Sequence, residues 1–77
     1  MSIIPLSALN SGSTGIIKEF STNPHFQSRL MEMGILPGEK VRMIKKAPFH
    51  GPLEIKIKSY YLLLRWNDAS EILVSEI

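Results

Sequence analysis

The stretch RLMEMGILPGEKVRMIKKAPFHGP, Arg29 to Pro52, decides the fold. Arg29 to Met33 carries the end of an amphipathic helix, and Gly34 can take the left-handed conformation that closes one. Pro37-Gly38 supplies a turn. Glu39 to Lys46 then reads as a half-buried strand, with Val41 and Met43 on one face and Lys40 and Arg42 on the other. Ile44 breaks that alternation, which predicts a bulge or strong bend near Ile44 to Lys46. Ala47-Pro48-Phe49-His50-Gly51-Pro52 follows as a stiff loop bounded by prolines.

Upstream, Met1 to Ser13 holds the apolar pair Leu6 and Leu9 and the turn formers Asn10 to Ser13, and is expected to form a brief turn or a single helical turn leading into the first strand. That strand is Thr14 to Phe20, rich in β-branched and aromatic residues. Asn23 can cap a helix and Pro24 suits its first position, where a missing N–H costs nothing. Phe26, Leu30 and Met33 fall on one helical face, so a helix over about 24–33 is expected.

Downstream, Leu53 to Lys58 alternates cleanly, with Leu53, Ile55 and Ile57 inward and Glu54, Lys56 and Lys58 outward. Tyr60 to Arg65 is apolar on both faces, so its outward side must be covered by the helix, the N-terminus or a partner. Asn67 to Ser70 reads as a short capped turn, and Glu71 to Ile77 as a last strand. Five short strands with one inserted helix predict a mainly β chain, a small curled sheet or barrel, in one domain over 1–77.

Composition narrows the function. Among 77 residues there is no cysteine, which excludes a disulfide scaffold, a thiol enzyme and a cysteine-ligated metal module. No apolar run approaches the roughly 20 residues that span a bilayer, and the N-terminus lacks the pattern of a secretion signal, so a cytoplasmic location is expected. Net charge is +2, but from Glu39 to Trp66 seven basic residues stand against two acidic ones, which makes part of the surface basic. No pair of carboxylates, nucleophile motif or Gly-rich phosphate loop is present, so no catalytic residue, nucleotide site or cofactor is assigned. His25 and His50 are the only imidazoles; each reads as a surface residue, and no metal site is assigned. Met31, Met33 and Met43 read as core filler. Phe49, held between two prolines, is either tucked under the barrel, the reading preferred here, or an anchor presented to a partner.

Taken together, Leu6 and Leu9, Gly15-Ile16-Ile17, Arg29-Leu30, Met33-Gly34-Ile35, Pro37-Gly38, Val41, Ile44 and Lys46-Ala47-Pro48-Phe49 form an ordered set, continued by Gly51-Pro52, Ile55, Leu64-Arg65, Ala69, Ile72 and Val74. In order and spacing this set resembles the FeoA family over nearly the whole chain. The resemblance implies an SH3-like β-barrel with an inserted helix, a protein of bacterial ferrous iron uptake that acts beside the FeoB permease and its cytosolic GTP-binding part. His50 and Ser59 depart from the family pattern at positions where glycine is usual.

On this reading the chain is an adaptor, not an enzyme, peripheral to the membrane through its partner. Arg29, Leu36, Lys45, Lys46, Phe49, His50, Tyr60 and Arg65 are its candidate partner-binding residues. Gly34, Pro37, Gly38, Pro48, Gly51 and Pro52 are its structural turns. Apolar anchors would supply affinity and the basic residues would steer an acidic partner. No nucleic acid is expected as a ligand, although a nucleic-acid-binding barrel, with Tyr60, Tyr61 and Trp66 as stacking platforms, stays the alternative, as does a self-associating regulatory domain, a homodimer.

Overall fold

The computed structural model describes residues 2–77 and is built on one antiparallel sheet. Its strands are β1 (Ile3–Pro5), β2 (Thr14–Phe20), β3 (Lys40–Lys46), β4 (Leu53–Ile57), β5 (Tyr60–Leu64) and β6 (Ile72–Glu76). Helix α1 (Pro24–Glu32) joins β2 to β3, and a short helix α2 (Trp66–Ser70) joins β5 to β6. The lateral order is β1-β6-β2-β3-β4-β5.

The expected mainly β architecture is present, with two additions. Ile3–Pro5 pairs with β6 as a sixth strand, where only a brief turn or a single helical turn such as Leu6–Ala8 is expected, and Asn67 to Ser70 belongs to a helix that begins at Trp66. A three-residue strand leaves no periodicity to detect; its partner at Leu73 to Ser75 defines it. Met1, the first residue of the expected N-terminal turn, lies outside the described residues.

Helix α1 starts as its sequence dictates. The Asn23 side chain accepts a hydrogen bond from the Phe26 N–H at 2.9 Å, and Pro24 follows the cap. It ends in a Schellman motif: the Ile35 N–H donates to the Leu30 carbonyl at 3.1 Å and the Gly34 N–H to the Met31 carbonyl at 3.0 Å, with Gly34 at φ 90°. The motif presses Ile35 against Leu30, and both are buried. Met33 therefore sits at the cap with its side chain outward, and Met31 is exposed too. Of the three methionines expected in the core, Met43 alone is there.

Pro37-Gly38 turns the chain into β3. The Glu39 N–H donates to the Leu36 carbonyl and the Gly38 N–H reaches the Ile17 carbonyl at 2.7 Å, so the turn is pinned to β2. Gly38 has φ 92°, as position three of a type II turn requires. The expected break at Ile44 is a bulge: the β3–β4 register shifts between Met43 and Lys45. A second shift, between Ile17 and Glu19 against β6, bends the other side of the sheet. Each extra residue adds local twist, and together they curl six short strands around one core.

That core takes Ile17 from β2, Val41 and Met43 from β3, Leu53, Ile55 and Ile57 from β4, and Ile72 and Val74 from β6. The sheet does not close on itself between β1 and β5. There α2 packs on the single 3-10 turn Leu6–Ala8, and Leu6, Leu9 and Ala69 are buried. The pair Leu6 and Leu9 is thus the plug of the barrel.

Candidate docking surface

The loop from Ala47 to Pro52 is closed by two backbone bonds. The Ala47 N–H donates to the Pro52 carbonyl at 3.0 Å, and the Gly51 N–H to the Pro48 carbonyl at 3.1 Å. Inside the tighter ring both central residues have positive φ, 58° at Phe49 and 57° at His50, as in a type I′ turn. Glycine or asparagine normally fills such positions, because a Cβ there costs about 1–2 kcal/mol per residue. This loop instead carries a phenylalanine and a histidine.

What the strained backbone achieves is presentation. Phe49 is 100% exposed, so it is not tucked under the barrel as expected. The turn geometry throws the side chain outward, and the core is already filled by Leu53 and Leu64 beneath the hairpin. His50 is held in place: its ring stacks on Trp66 with centroids 4.0 Å apart and planes within 4°. Gly51 is required by space. A Cβ there would lie 2.8 Å from the Ala47 Cβ and 3.1 Å from the Pro48 carbonyl oxygen.

Beside the loop lies a shallow depression lined by Lys45, Lys46, Ala47, Pro52, Glu54 and Leu63. Leu63 is 71% exposed and forms its apolar wall. Arg65, exposed, precedes Trp66 at the start of α2. Lys45, Lys46, Phe49, His50 and Arg65 therefore belong to one end of the β4–β5 hairpin, where Lys46 pairs with Leu53 and Leu53 with Leu64.

The other candidates gather elsewhere. Tyr60 pairs with Ile57 at the turn end of the hairpin, about 15 Å away along a five-residue strand. Its hydroxyl donates to the Met33 carbonyl at 2.9 Å and so caps the end of α1, near exposed Arg29 and half-buried Leu36. Tyr60 thus has a structural task that its sequence context does not reveal. The hairpin turn is Lys58-Ser59, with the positive φ of 54° on Lys58 and not on Ser59; the Lys58 ammonium lies 3.5 Å from the Glu39 carboxylate.

Two contributors to the surface, Leu63 and Trp66, are absent from the sequence-derived set. Leu63 had a signal, since β5 is apolar on both faces. Trp66 had none, because its role depends on a contact with His50 from a different loop. His25 stands exposed in the first turn of α1. Among the described residues no three His, Asp or Glu side chains gather as a metal-holding group, and no helix is long and apolar enough to cross a membrane.

Known proteins share this architecture. The FeoA-like protein from Clostridium acetobutylicum superposes with a TM-score of 0.89 at 26% identity, covering 100% of this chain and 90% of that one. FeoA of Stenotrophomonas maltophilia, solved with zinc and described as a prokaryotic SH3 domain protein and candidate ferrous iron transport activating factor, gives 0.77 at 28% identity over 91% of this chain and 87% of its own. In sequence, a fusion of Fe(2+) transport protein A with the Fe(2+) transporter FeoB from Porphyromonas gingivalis is 32% identical over 72 residues, 94% of this chain. The chain spans 8% of that fusion protein's length. The FeoA domain model matches residues 4–76, which takes in β2 to β6 of the curled SH3-like sheet whole and β1 from Ile4 onward. This chain therefore belongs to the FeoA family.

Proposed function

We propose that this protein is a cytosolic adaptor that docks onto an FeoB-type permease and modulates its ferrous iron transport. The observation that carries this reading is the fusion in which an FeoA part is covalently joined to FeoB. A natural fusion fixes two modules at high effective concentration, which is useful when they work on one another. The loop chemistry supplies a means. Phe49 stands fully exposed on a loop that two backbone bonds and the His50–Trp66 stack hold in shape, so little entropy is lost when it enters a pocket. Lys45, Lys46 and Arg65 lie at the same end and would steer an acidic surface towards it.

The test is co-purification with the detergent-solubilised permease, with and without GTP, together with iron uptake in cells. Phe49→Ala is expected to weaken binding by roughly thirtyfold, the ~2 kcal/mol of a buried aromatic anchor. Lys45→Glu/Lys46→Glu should slow association and flatten its salt dependence. If the wild-type protein never co-purifies and uptake is unchanged in its absence, the adaptor reading fails.

A further inference from the structure

Strand β5 ends the sheet, and its outer edge has no strand beside it. Among the described residues no backbone hydrogen bond outside the β4–β5 ladder involves Tyr60 to Leu64. In an antiparallel ladder residues alternate between those bonded to the neighbour and those whose N–H and C=O point away. The two-residue connection at 58–59 makes Ile57 and Tyr60 the bonded pair that closes the hairpin. Leu62 and Leu64 then also face β4, and the N–H and C=O of Tyr61 and Leu63 face the open edge.

This edge lacks the usual protections. It contains no charge, no proline and no bulge, its sequence is YYLLL, and Tyr61 and Leu63 are 55% and 71% exposed. We propose that it pairs with the same edge of a second copy, antiparallel about a two-fold axis at Leu62. The alternation above allows a centre at Tyr61, Leu62 or Leu63, and of these only Leu62 pairs both outward-pointing residues of the strand, Tyr61 and Leu63, within it. Centring on Leu62 places Tyr61 opposite Leu63 of the other copy, twice, and these are the residues with outward-pointing backbone groups, so four hydrogen bonds form at the seam.

The side chains agree with that register. Tyr61 lies beside Lys56, whose ammonium sits 5.6 Å from the centre of the tyrosine ring, and Leu63 lies beside Glu54. Across the seam each outer row then reads Lys56, Tyr61, Leu63, Glu54. Each row has an aromatic–aliphatic pair at its centre and opposite charges at its two ends. A C2 contact needs one surface that is complementary to itself, and this row provides it. The pairing also gives the exposed Tyr61 and Leu63 side chains apolar neighbours from the other copy along the outer face.

Sedimentation equilibrium of the isolated protein tests this without the permease. Over about a hundredfold range of concentration the apparent mass should rise from the 8.7 kDa of one chain to twice that value. Leu63→Pro removes an N–H that β4 does not use and places a ring at the seam; Leu63→Lys puts a charge on an already exposed position. Both should stay at single-chain mass, and Leu63→Lys should melt, at every concentration, at the temperature the wild-type protein shows when dilute enough to be a single chain; Leu63→Lys decides if the proline variant does not fold. In a mixture of labelled and unlabelled protein, isotope-filtered spectra should show Tyr61 ring to Leu63 methyl contacts between copies. A wild-type protein that keeps single-chain mass throughout, a Leu63→Lys variant that dimerises as readily, or a dimer without those contacts overturns the proposal.

Discussion

Phe49 is the residue whose conformation and exposure are hardest to reconcile with stability alone. It sits at φ 58° with its whole side chain in water, so the fold gains no burial from it and bears the cost of a left-handed phenylalanine. On the adaptor proposal, this strain is kept so that Phe49 can meet the partner. Phe49→Asn should therefore leave thermal stability unchanged or raise it by up to about 1 kcal/mol, because asparagine tolerates this φ and no packing is lost. The same variant should lose permease binding as fully as Phe49→Ala. Denaturant melts and pull-downs on one preparation check both halves, and a clear drop in stability would mean that Phe49 packs against the protein after all. The sequence shows a large residue between two prolines; the direction in which it points depends on a turn geometry that its residue types do not favour.

At the scale of elements, the link between α1 and the β4–β5 hairpin rests on a small contact. Gly34 closes the helix at φ 90°, and a Cβ built there would fall on the Tyr60 hydroxyl, which bonds the Met33 carbonyl. Gly34→Ala thus meets two costs, the left-handed backbone and the collision, and should destabilise by about 2–4 kcal/mol. Tyr60→Phe loses one exposed hydrogen bond and should cost about 1 kcal/mol. In the double variant the collision is relieved, so the combined loss should be smaller than the sum of the two by roughly 1 kcal/mol or more. Urea unfolding of the four proteins closes that cycle; strict additivity would show that the hydroxyl does not occupy the space. The helix stop at Gly34 is legible from local chemistry. Its contact with a tyrosine 26 positions later is not, since neither residue type announces the other.

For the whole molecule, the decisive feature is how an open sheet is sealed. Strands β1 and β5 do not pair, and the gap is filled by α2 lying on the Leu6–Ala8 turn, with Leu6, Leu9 and Ala69 at 0% exposure. In a chain of this size each such side chain is a large part of the core. Leu6→Ala and Leu9→Ala should each cost about 2–5 kcal/mol, as much as a substitution in β4, although both lie in a segment with no strand or helix periodicity. Calorimetric melting that shows less than about 1 kcal/mol for either would mean that the N-terminal segment is an appendage and not the plug.

The sequence by itself determined the elements whose cause is local. Asn23-Pro24 begins the helix and Gly34 ends it, Pro37-Gly38 turns the chain, and the alternation of Leu53 to Ile57 gives β4 its inner and outer faces. Even the bulge at Ile44 is visible, because one residue breaks a period of two. Each of these is fixed by φ preference or side-chain direction within a few residues. The tertiary structure alone decided what depends on residues far apart in the chain. It paired Ile3–Pro5 with β6, set His50 on Trp66, gave the Tyr60 hydroxyl to α1, and divided the candidate binding residues between the two ends of one hairpin. Those outcomes rest on which surfaces meet when the sheet curls, and no single segment carries that information.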